Sequence, residues 1–467
     1  MRRSVLFCLP LVAACGERPV DVVFITIDTL RYDHVSALDP DSPAQTPHMD
    51  RLVNEGVAYT QAYSPISVTG PAFTTLLTGQ RPGTHGVVMN VFRGGTKLDP
   101  TTPTLAKRLK RAGYHTGAFL SGFTLRRDLG LNKGFHRYSP PMDPRRPGGE
   151  TAEAMWAWLQ MQPGPIFTWY HSYDPHGPLE PYADPPITPE VQRGGPNLER
   201  IPEYQRIGNI SDADFFAARY ATAVEYADAQ VGRVFDVLDN TGRFDDALII
   251  LTADHGESFD ERELWFDHGT TAHEEQLHVP LVIRYPRGEG GGKTVDALVG
   301  LEDVMPTVLD YLGLELPDGM DGHSLLGEGD VGHAVLYGES SHCKGEAVLT
   351  CTPRGAGGKM YAVRTTDRTT VRRTSAEGLH YERYDRLTDR PELSPLAGPA
   401  RPEDDSGTPP PLAWDDSDAQ ALEALDDMAK VRADMKLSDP KSKKKDDESD
   451  AERREREALQ ALGYMDQ

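Results

Sequence analysis

The sequence has few cysteines and no excess of basic residues. Four cysteines stand among 467 residues, and 49 Lys and Arg oppose 72 Asp and Glu, which gives a formal net charge of -23. Nucleic acid phosphates would repel so acidic a chain, so neither DNA nor RNA is an expected partner. No internal repeat is present, and the length suits one large α/β domain with a smaller appendage.

The first apolar stretch is too short to cross a bilayer. It covers residues 4–14, follows Arg2 and Arg3, and ends with Ala13 and Ala14, directly before Cys15. A short basic start, an apolar stretch and small residues before a cysteine resemble a bacterial lipoprotein signal. We therefore predict a signal peptide at residues 1–14, a lipid on Cys15, and an extracytoplasmic protein anchored to a bacterial membrane. An ordinary signal peptide cut nearby is the alternative.

Two cysteines remain in the predicted mature chain. Cys343 and Cys351 lie eight residues apart in a loop-like segment that also contains His342. In an oxidising compartment this pair predicts a small disulfide. A metal site that includes His342 is the alternative.

Two apolar, β-branched runs end in metal-ligand side chains. Residues 22–27 precede Asp28, and residues 247–253 precede Asp254 and His255. Continuous apolar runs predict parallel strands buried on both faces, and such sheets bind ligands at the carboxyl ends of their strands. An Asp after a strand also commonly caps a helix, but two such strands together favour a shared divalent metal site.

A candidate anion site lies between these two strands in the chain. Pro71 suits the first turn of a helix, and Thr69 would stand just before it. The Thr69 hydroxyl would then lie close to backbone N–H groups at the helix start, where anions bind. Ser64 and Ser67 are the rival hydroxyls in the same segment.

Several short motifs follow one another between about residue 20 and about residue 395: Ile27-Asp28-Thr29-Leu30-Arg31, Thr46-Pro47-His48, Leu76-Leu77-Thr78-Gly79, Tyr173-Asp174-Pro175-His176-Gly177-Pro178, Ala253-Asp254-His255-Gly256-Glu257 and Asp267-His268-Gly269. In this order they resemble the sulfatase family of the alkaline phosphatase superfamily. The resemblance implies an alkaline phosphatase-like fold and a metal-dependent ester hydrolase. It also implies that Thr69 is the nucleophile, that His176 contacts substrate, and that His268 stands where the family places a Lys or His.

The nucleophile motif departs from the family pattern. Typical members carry Cys or Ser, oxidised to formylglycine, in a Cys/Ser-x-Pro-Ser-Arg motif, whereas this chain has Thr69-Gly70-Pro71-Ala72-Phe73. Threonine cannot yield that aldehyde, so we expect no formylglycine and no expulsion of sulfate by elimination. The family's Lys-x-His motif is also missing.

The predicted metal ligands are Asp28, Thr69, Asp254 and His255. Thr29 replaces the second Asp of the family's Asp-Asp pair, and His255 replaces its Asn. The resulting set resembles one metal site of the nucleotide pyrophosphatase and phosphodiesterase branch of the superfamily. An imidazole ligand favours zinc or manganese, with calcium as the alternative. A second metal near His176 stays open, with Asp174 or His268 as a further ligand.

These residues predict a hydrolase of sulfate-type or phosphate-type esters on a small molecule or glycan, with Thr69 as covalent nucleophile. His176 and His268 would position the substrate oxygens or protonate the leaving group. The alternatives are a phosphodiesterase, a phosphonate hydrolase or a phosphoryl transferase. A lipoprotein that binds an anion without turnover is the non-enzymatic alternative.

Alternating strand and helix patterns predict a doubly wound, mostly parallel sheet flanked by helices over residues 20–340. Short strands after residue 356, together with the family resemblance, predict a small antiparallel sheet in a subdomain at 341–395. Residues 396–467 read as a charged, largely disordered tail with a helix around 451–462. The sequence does not indicate an oligomeric state.

Overall fold

The computed structural model describes residues 19–91, 96–179, 190–262, 265–327, 329, 331–340, 359–375, 378–396, 421–425 and 427–428. The signal at 1–14, Cys15, Cys343 and Cys351 lie outside these residues, so the lipid and the disulfide stay predictions. Among the described residues, no helix is both long enough and apolar enough to cross a membrane.

A large sheet of eight strands forms the centre of the protein. Its strands are β1 Asp21–Ile27, β2 Val57–Tyr63, β3 His115–Leu120, β4 Arg137–Ser139, β5 Ile166–Ser172, β6 Ala247–Ala253, β7 Leu281–Arg284 and β8 Lys293–Gly300. Their order across the sheet is β4-β3-β5-β1-β6-β7-β2-β8. Only β7 runs antiparallel to its neighbours among these described pairings, which confirms the predicted, mostly parallel sheet.

Helices cover this sheet. They are α1 Pro47–Glu55, α2 Thr69–Thr78, α3 Pro82–His85, α4 Leu105–Arg111, α5 Gly148–Leu159, α6 Asn197–Arg200, α7 Ala213–Asn240, α8 Glu274–Leu277 and α9 Val304–Tyr311. Helices α1 and α5 both pack on α7, while α4 and α9 both pack on α2, so two helical layers flank the sheet. A 3-10 turn over Leu301–Asp303 directly precedes α9.

A second sheet is small and antiparallel. Its strands are β9 Leu336–Glu339, β10 Met360–Arg364, β11 Arg368–Ser375 and β12 Gly378–Asp385, in the order β12-β11-β10-β9. The predicted antiparallel sheet is confirmed, but it begins at Leu336, before the boundary predicted at residue 341. The four residues of β9 are too few to show a strand pattern, and β9 is defined by its pairing with β10.

Part of the chain beyond residue 396 packs on this small sheet. Residues 421–425 and 427–428 are helical, and Leu422 and Leu425 are buried against Tyr361, Val363 and Tyr381. The apolar side chains of this segment cover one face of the small sheet, and the prediction of a largely disordered tail over 396–467 stays a prediction. The helix predicted at 451–462 lies outside the described residues.

The carboxyl ends of three neighbouring strands meet at one edge of the large sheet. Strands β5, β1 and β6 are adjacent and parallel, and Ile27 at the end of β1 pairs with both Ser172 and Ala253. Every residue of these three strands is buried. The polar residues that follow them are consequently brought together at the sheet edge.

Candidate active site

Asp28, Asp254 and His255 meet at this sheet edge and form what we call the acid–histidine trio. One ligand atom from each lies within 4.8 Å of the other two, and all three side chains are buried. Asp28 follows β1 and Asp254 follows β6, so the parallel pairing of these strands sets the spacing between the two carboxylates. The structure thus brings together three of the four residues that the sequence predicted as metal ligands.

The trio has the properties of a cation site. Asp28 Oδ1 and Asp254 Oδ2 are buried and have no hydrogen-bond partner among the described residues. Burial, followed by the charge of Asp254, raises the pKa of Asp28 well above its usual range. Two carboxylates buried so close together repel each other unless a cation or a proton lies between them. The residues present therefore fit the divalent metal that the sequence predicts.

The orientation of His255 supports the same interpretation. Its Nδ1 lies 2.8 Å from the backbone oxygen of Gly256, so the Nδ1–H donates there and Nε2 carries the lone pair. That Nε2 lies 3.3 Å from Asp254 Oδ2. A ligating histidine commonly donates its other ring N–H to a carbonyl in this way, which fixes its tautomer and its orientation.

Thr69 lies beside the trio at the amino end of α2. Its Oγ1 is 3.5 Å from His255 Nε2, and the residue is 1% exposed. The helix begins at Thr69 itself and not at Pro71, so Thr69 occupies the first helical position and not the one before it. The hydroxyl remains next to the positive end of the helix dipole.

The rival hydroxyls in this segment are engaged elsewhere. Ser67 Oγ donates to the backbone oxygen of Thr271 at 3.1 Å, and Ser64 Oγ donates to that of Ile66 at 2.9 Å. The Ser64 bond stays within the loop before α2, whereas the Ser67 bond reaches the segment before α8. Thr69 is thus the hydroxyl of the three that contacts the trio.

Asn90 is a site residue that the sequence did not suggest. Its Oδ1 accepts the N–H of Gly70 at 2.8 Å, so one backbone donor at the start of α2 is already satisfied. A Cβ on Gly70 would lie only 2.6 Å from this oxygen, which explains the glycine. Asn90 stands in an irregular segment without a motif, and no local pattern could have identified it.

His176 and His268 lie on the other side of the trio. The His268 ring centroid is 4.6 Å from that of His255 and 4.7 Å from that of His176. The Nδ1 of His268 lies 3.3 Å from Glu257 Oε2. The structure therefore brings both predicted catalytic histidines to the site, and it adds Glu257.

The two histidines differ in charge. Burial lowers the pKa of His268, but the contact with Glu257 and the charges of Asp267 and Asp28 together outweigh this effect and raise the pKa to about 9. Burial, together with the charge of His268, holds the pKa of His176 well below its usual range. His176 directs its Nδ1 to the Gly177 oxygen at 2.6 Å, so its Nε2 carries the lone pair. His268 is the positive group near neutral pH, and His176 is the neutral one.

Two further residues that the sequence singled out, Thr29 and Asp174, make hydrogen bonds with their surroundings. The Thr29 hydroxyl donates to the backbone oxygen of Asp28 at 2.7 Å, and the Thr29 N–H donates to Asp254 Oδ1 at 3.1 Å. Asp174 accepts from Ser172 Oγ at 2.5 Å and from Gly148 N at 3.2 Å, at the start of α5. These contacts tie the Asp174 carboxylate to the start of α5.

Phe73 replaces the Arg of the family motif with an apolar ring. Its ring packs on Trp169 and His171, with centroid separations of 5.2 and 5.1 Å. His171 in turn places its Nε2 3.3 Å from Asp28 Oδ2, and burial lowers its pKa to about 4. The sequence prediction missed His171 because it lies inside β5, where a histidine reads as part of the strand.

Comparison with known proteins agrees with this geometry. A family model described as Sulfatase matches residues 20–314, and the chain belongs to the sulfatase family. Its fold and its relatives make it an ester hydrolase of the alkaline phosphatase superfamily.

Three similar proteins illustrate the range of this family. The multifunctional alkaline phosphatase superfamily protein PehA of Trinickia caryophylli is 27% identical over 397 residues, which cover 66% of this chain and 76% of PehA. An ulvan-active sulfatase of Formosa agariphila is 23% identical over 428 residues, covering 80% of this chain and 78% of the relative. The crystal structure of a phosphonate monoester hydrolase of Agrobacterium radiobacter superposes with a TM-score of 0.66 at 23% identity, over 90% of this chain and 96% of that one.

Proposed function

We propose that this protein hydrolyses phosphate-type or sulfate-type esters through a covalent ester on Thr69, with a divalent metal bound by the acid–histidine trio. The observation that carries this proposal is the contact between Thr69 Oγ1 and His255 Nε2, 3.5 Å apart beside two buried carboxylate oxygens without hydrogen bonds. A bound cation in this position supplies Lewis acidity, which lowers the pKa of a neighbouring hydroxyl and polarises the ester. The imidazole ligand favours zinc or manganese over calcium.

In the first step, the Thr69 hydroxyl releases its proton to solvent, Oγ1 forms a bond to the phosphorus or sulfur atom, and the bond from that atom to the leaving-group oxygen breaks. His268 gives its proton to the leaving oxygen. Glu257 holds His268 in the protonated state and in a fixed orientation through its contact at 3.3 Å. The neutral His176 stacks on Tyr173, with ring centroids 4.1 Å apart. This contact holds the His176 ring beside His268.

In the second step, water attacks the threonyl ester. His268, now neutral, takes a proton from this water, and the bond from Thr69 Oγ1 to the phosphorus or sulfur atom breaks. The Thr69 oxygen that leaves takes a proton back from solvent, so the hydroxyl of Thr69 and the proton of His268 are both restored. One histidine thus acts first as acid and then as base, as microscopic reversibility allows.

The chemistry of Thr69 favours phosphate-type over sulfate-type esters. A threonyl ester lacks the second hydroxyl of a hydrated formylglycine, so it cannot expel its anion by elimination, and water must attack the central atom. Attack on phosphorus by a positioned oxygen is the ordinary course of phosphoryl transfer. Phosphonate monoester hydrolases and sulfatases share this fold, so the preference rests on the nucleophile. Sulfate esters are the second candidate, because the matching family model is Sulfatase.

A panel of matched substrates tests the proposal. Purified protein, stripped of metal and reloaded with zinc, manganese or calcium, is assayed with aryl phosphate, phosphodiester, phosphonate and sulfate esters that share one leaving group. We expect the highest kcat/KM on a phosphorus ester and with zinc or manganese. Thr69→Ala serves as the matched control for background hydrolysis. A wild-type rate equal to that of Thr69→Ala on every substrate would favour the anion-binding alternative.

The role of His268 predicts a dependence on the leaving group. His268→Gln is expected to lower kcat by about 10²–10⁴-fold on an alkyl ester, the usual contribution of general acid catalysis. The loss should be much smaller on an aryl ester with an acidic phenol, since that leaving group needs no proton. Rates over a series of leaving groups measure this effect. Equal losses across the series would show that His268 only positions substrate.

We also propose that the protein is an extracytoplasmic lipoprotein anchored through Cys15. The support is the basic start, the short apolar stretch and the small residues before Cys15. Cys15→Ser should release the protein from the membrane fraction or leave an uncleaved precursor, whereas Cys8→Ser should change neither. Mass spectrometry of the mature amino terminus is the measurement. An unlipidated terminus at another residue would show an ordinary signal peptide.

A further inference from the structure

A second group of metal-ligand types lies away from the active site. Asp303, His323 and His333 each place one ligand atom within 4.8 Å of the other two, and we call them the distal cluster. Asp303 follows the carboxyl end of β8, beside the end of α2 opposite Thr69. The ten residues of α2 separate the two groups by about 15 Å along the helix. The distal cluster therefore shares no residue with the proposed catalytic metal site.

Asp303 forms the centre of this cluster. It is fully buried, and His333 places Nε2 2.9 Å from both of its carboxylate oxygens. The same carboxylate accepts the N–H of Gly300 at 2.8 Å and the N–H of His323 at 3.0 Å. Two backbone donors thus fix the orientation of the carboxylate, which leaves its remaining lone pairs directed at the imidazoles.

The orientation of His323 is the observation that points to a cation. Its Nε2 lies 2.9 Å from the backbone oxygen of Val331, so Nε2–H donates there and the neutral ring carries its lone pair on Nδ1. That Nδ1 lies 3.7 Å from Asp303 Oδ1, which is also an acceptor. Two acceptors that face each other at this distance are stabilised by a cation between them. A histidine ligand whose other nitrogen donates to a carbonyl is the usual arrangement at metal sites.

We propose that Asp303, His323 and His333 bind a second metal ion of the zinc class. Two imidazoles and one carboxylate are ligands of zinc and other borderline transition metals, whereas calcium prefers a larger set of oxygens. A water molecule completes a tetrahedral site, because the side chain of His323 is 46% exposed. The cluster is thus buried on the Asp303 side and open on the His323 side.

The position of the distal cluster gives it a structural role. The segment that carries His323 also binds the carboxyl end of α2, where Asp321 N and Gly322 N donate to the Gly79 oxygen at 2.8 and 3.1 Å. The same segment leads into β9, whose Glu339 N donates to the Pro65 oxygen at 2.9 Å in the loop before Thr69. A metal on the cluster would hold this connection between the two sheets in place.

Counting metal equivalents tests the proposal. Wild type, His323→Ala, Asp254→Ala and the double variant are stripped with chelator, reloaded with excess zinc, desalted and measured by elemental analysis. Only the folded monomer fraction from size exclusion is counted. We expect two equivalents of zinc in wild type, one in each single variant and none in the double variant. His136→Ala is the matched control, because His136 is exposed and pairs with another histidine, and it should retain two.

Cobalt gives a second measurement that does not depend on activity. Asp254→Ala loaded with one equivalent of Co²⁺ should show the intense visible absorption of a tetrahedral site. The double variant, which also carries His323→Ala, should lack this absorption. Thermal unfolding of Asp254→Ala should shift upward with zinc, and that shift should disappear in the double variant. A His323→Ala protein that binds as much zinc as wild type would overturn the inference. If the acid–histidine trio binds no metal, Asp254→Ala will match wild type while His323→Ala still loses one equivalent.

Discussion

Replacing Thr69 with alanine is expected to lower turnover by about 10³-fold or more, since removal of a covalent nucleophile has effects of this order or larger. The fold and the metal content should be unchanged, because the side chain that is lost is small and the trio keeps its other ligands. Activity on the preferred ester, circular dichroism and elemental analysis measure the three quantities. No other hydroxyl in the segment is placed to substitute, given the bonds of Ser64 and Ser67 to backbone oxygens.

The companion variants make this expectation specific. Thr69→Ser should retain part of the activity, because an attacking hydroxyl remains at the start of α2. Acid quench of wild type during turnover, followed by peptide mapping, should find the phosphoryl or sulfuryl group on Thr69. Thr75→Ala, in the same helix, should keep near wild-type turnover, since its hydroxyl contacts His85 at 3.1 Å and not the trio. A modified Ser67, or full activity of Thr69→Ala, would remove Thr69 from the mechanism.

The parts of the site that follow strands could be predicted from the sequence. Asp28 and Asp254 end two long apolar runs, and parallel strands direct their carboxyl ends to one edge. His176 and His268 came from the order of the family motifs, and the ring contacts place both at the site. The large sheet and the antiparallel character of the small one were predictable on the same grounds.

Other parts depend on contacts between residues far apart in the chain. Asn90 acts only through Gly70, and His171 acts only because β5 lies next to β1. The short strand β9 is defined by pairing, and the helical segment at 421–425 by packing on Tyr361. None of these four contacts produces a local sequence pattern, because each joins residues that are far apart in the chain.

The loss of two basic groups of the family is partly compensated by His268. Phe73 packs as an apolar ring where the family has an Arg, and the Lys-x-His motif is missing. In the proposed mechanism, an anionic ester would meet the protonated His268 and a bound metal where the family has these two basic groups. The charge of His268 depends on Glu257, which lies buried against it. On this proposal, His268 should make a large contribution to substrate binding.

Asp28→Asn is expected to abolish metal retention at the trio and yet to stabilise the protein in the absence of metal. Burial and the charge of Asp254 raise the pKa of Asp28 well above its usual range, so the ionised form of this carboxyl is disfavoured in the metal-free fold. An amide of the same shape removes this repulsion, with a gain of about 1–3 kcal/mol, the usual cost of a buried polar group left unsatisfied.

Elemental analysis and thermal unfolding with and without chelator measure both effects. Zinc that binds at the trio should raise the unfolding temperature of wild type, and this rise should be absent in Asp28→Asn. In chelator, Asp28→Asn should unfold at a higher temperature than wild type. Asp254→Ala should also lose the metal. It should be stabilised less than Asp28→Asn, because it removes the acceptor of the hydrogen bond from Thr29 N. Asp33→Asn is the matched control, because Asp33 pairs with Arg31 at 2.6 Å, so this variant should be destabilised and keep its metal. A metal-free Asp28→Asn protein less stable than wild type, or one with full metal content, would show that the two carboxylates do not form a cation site.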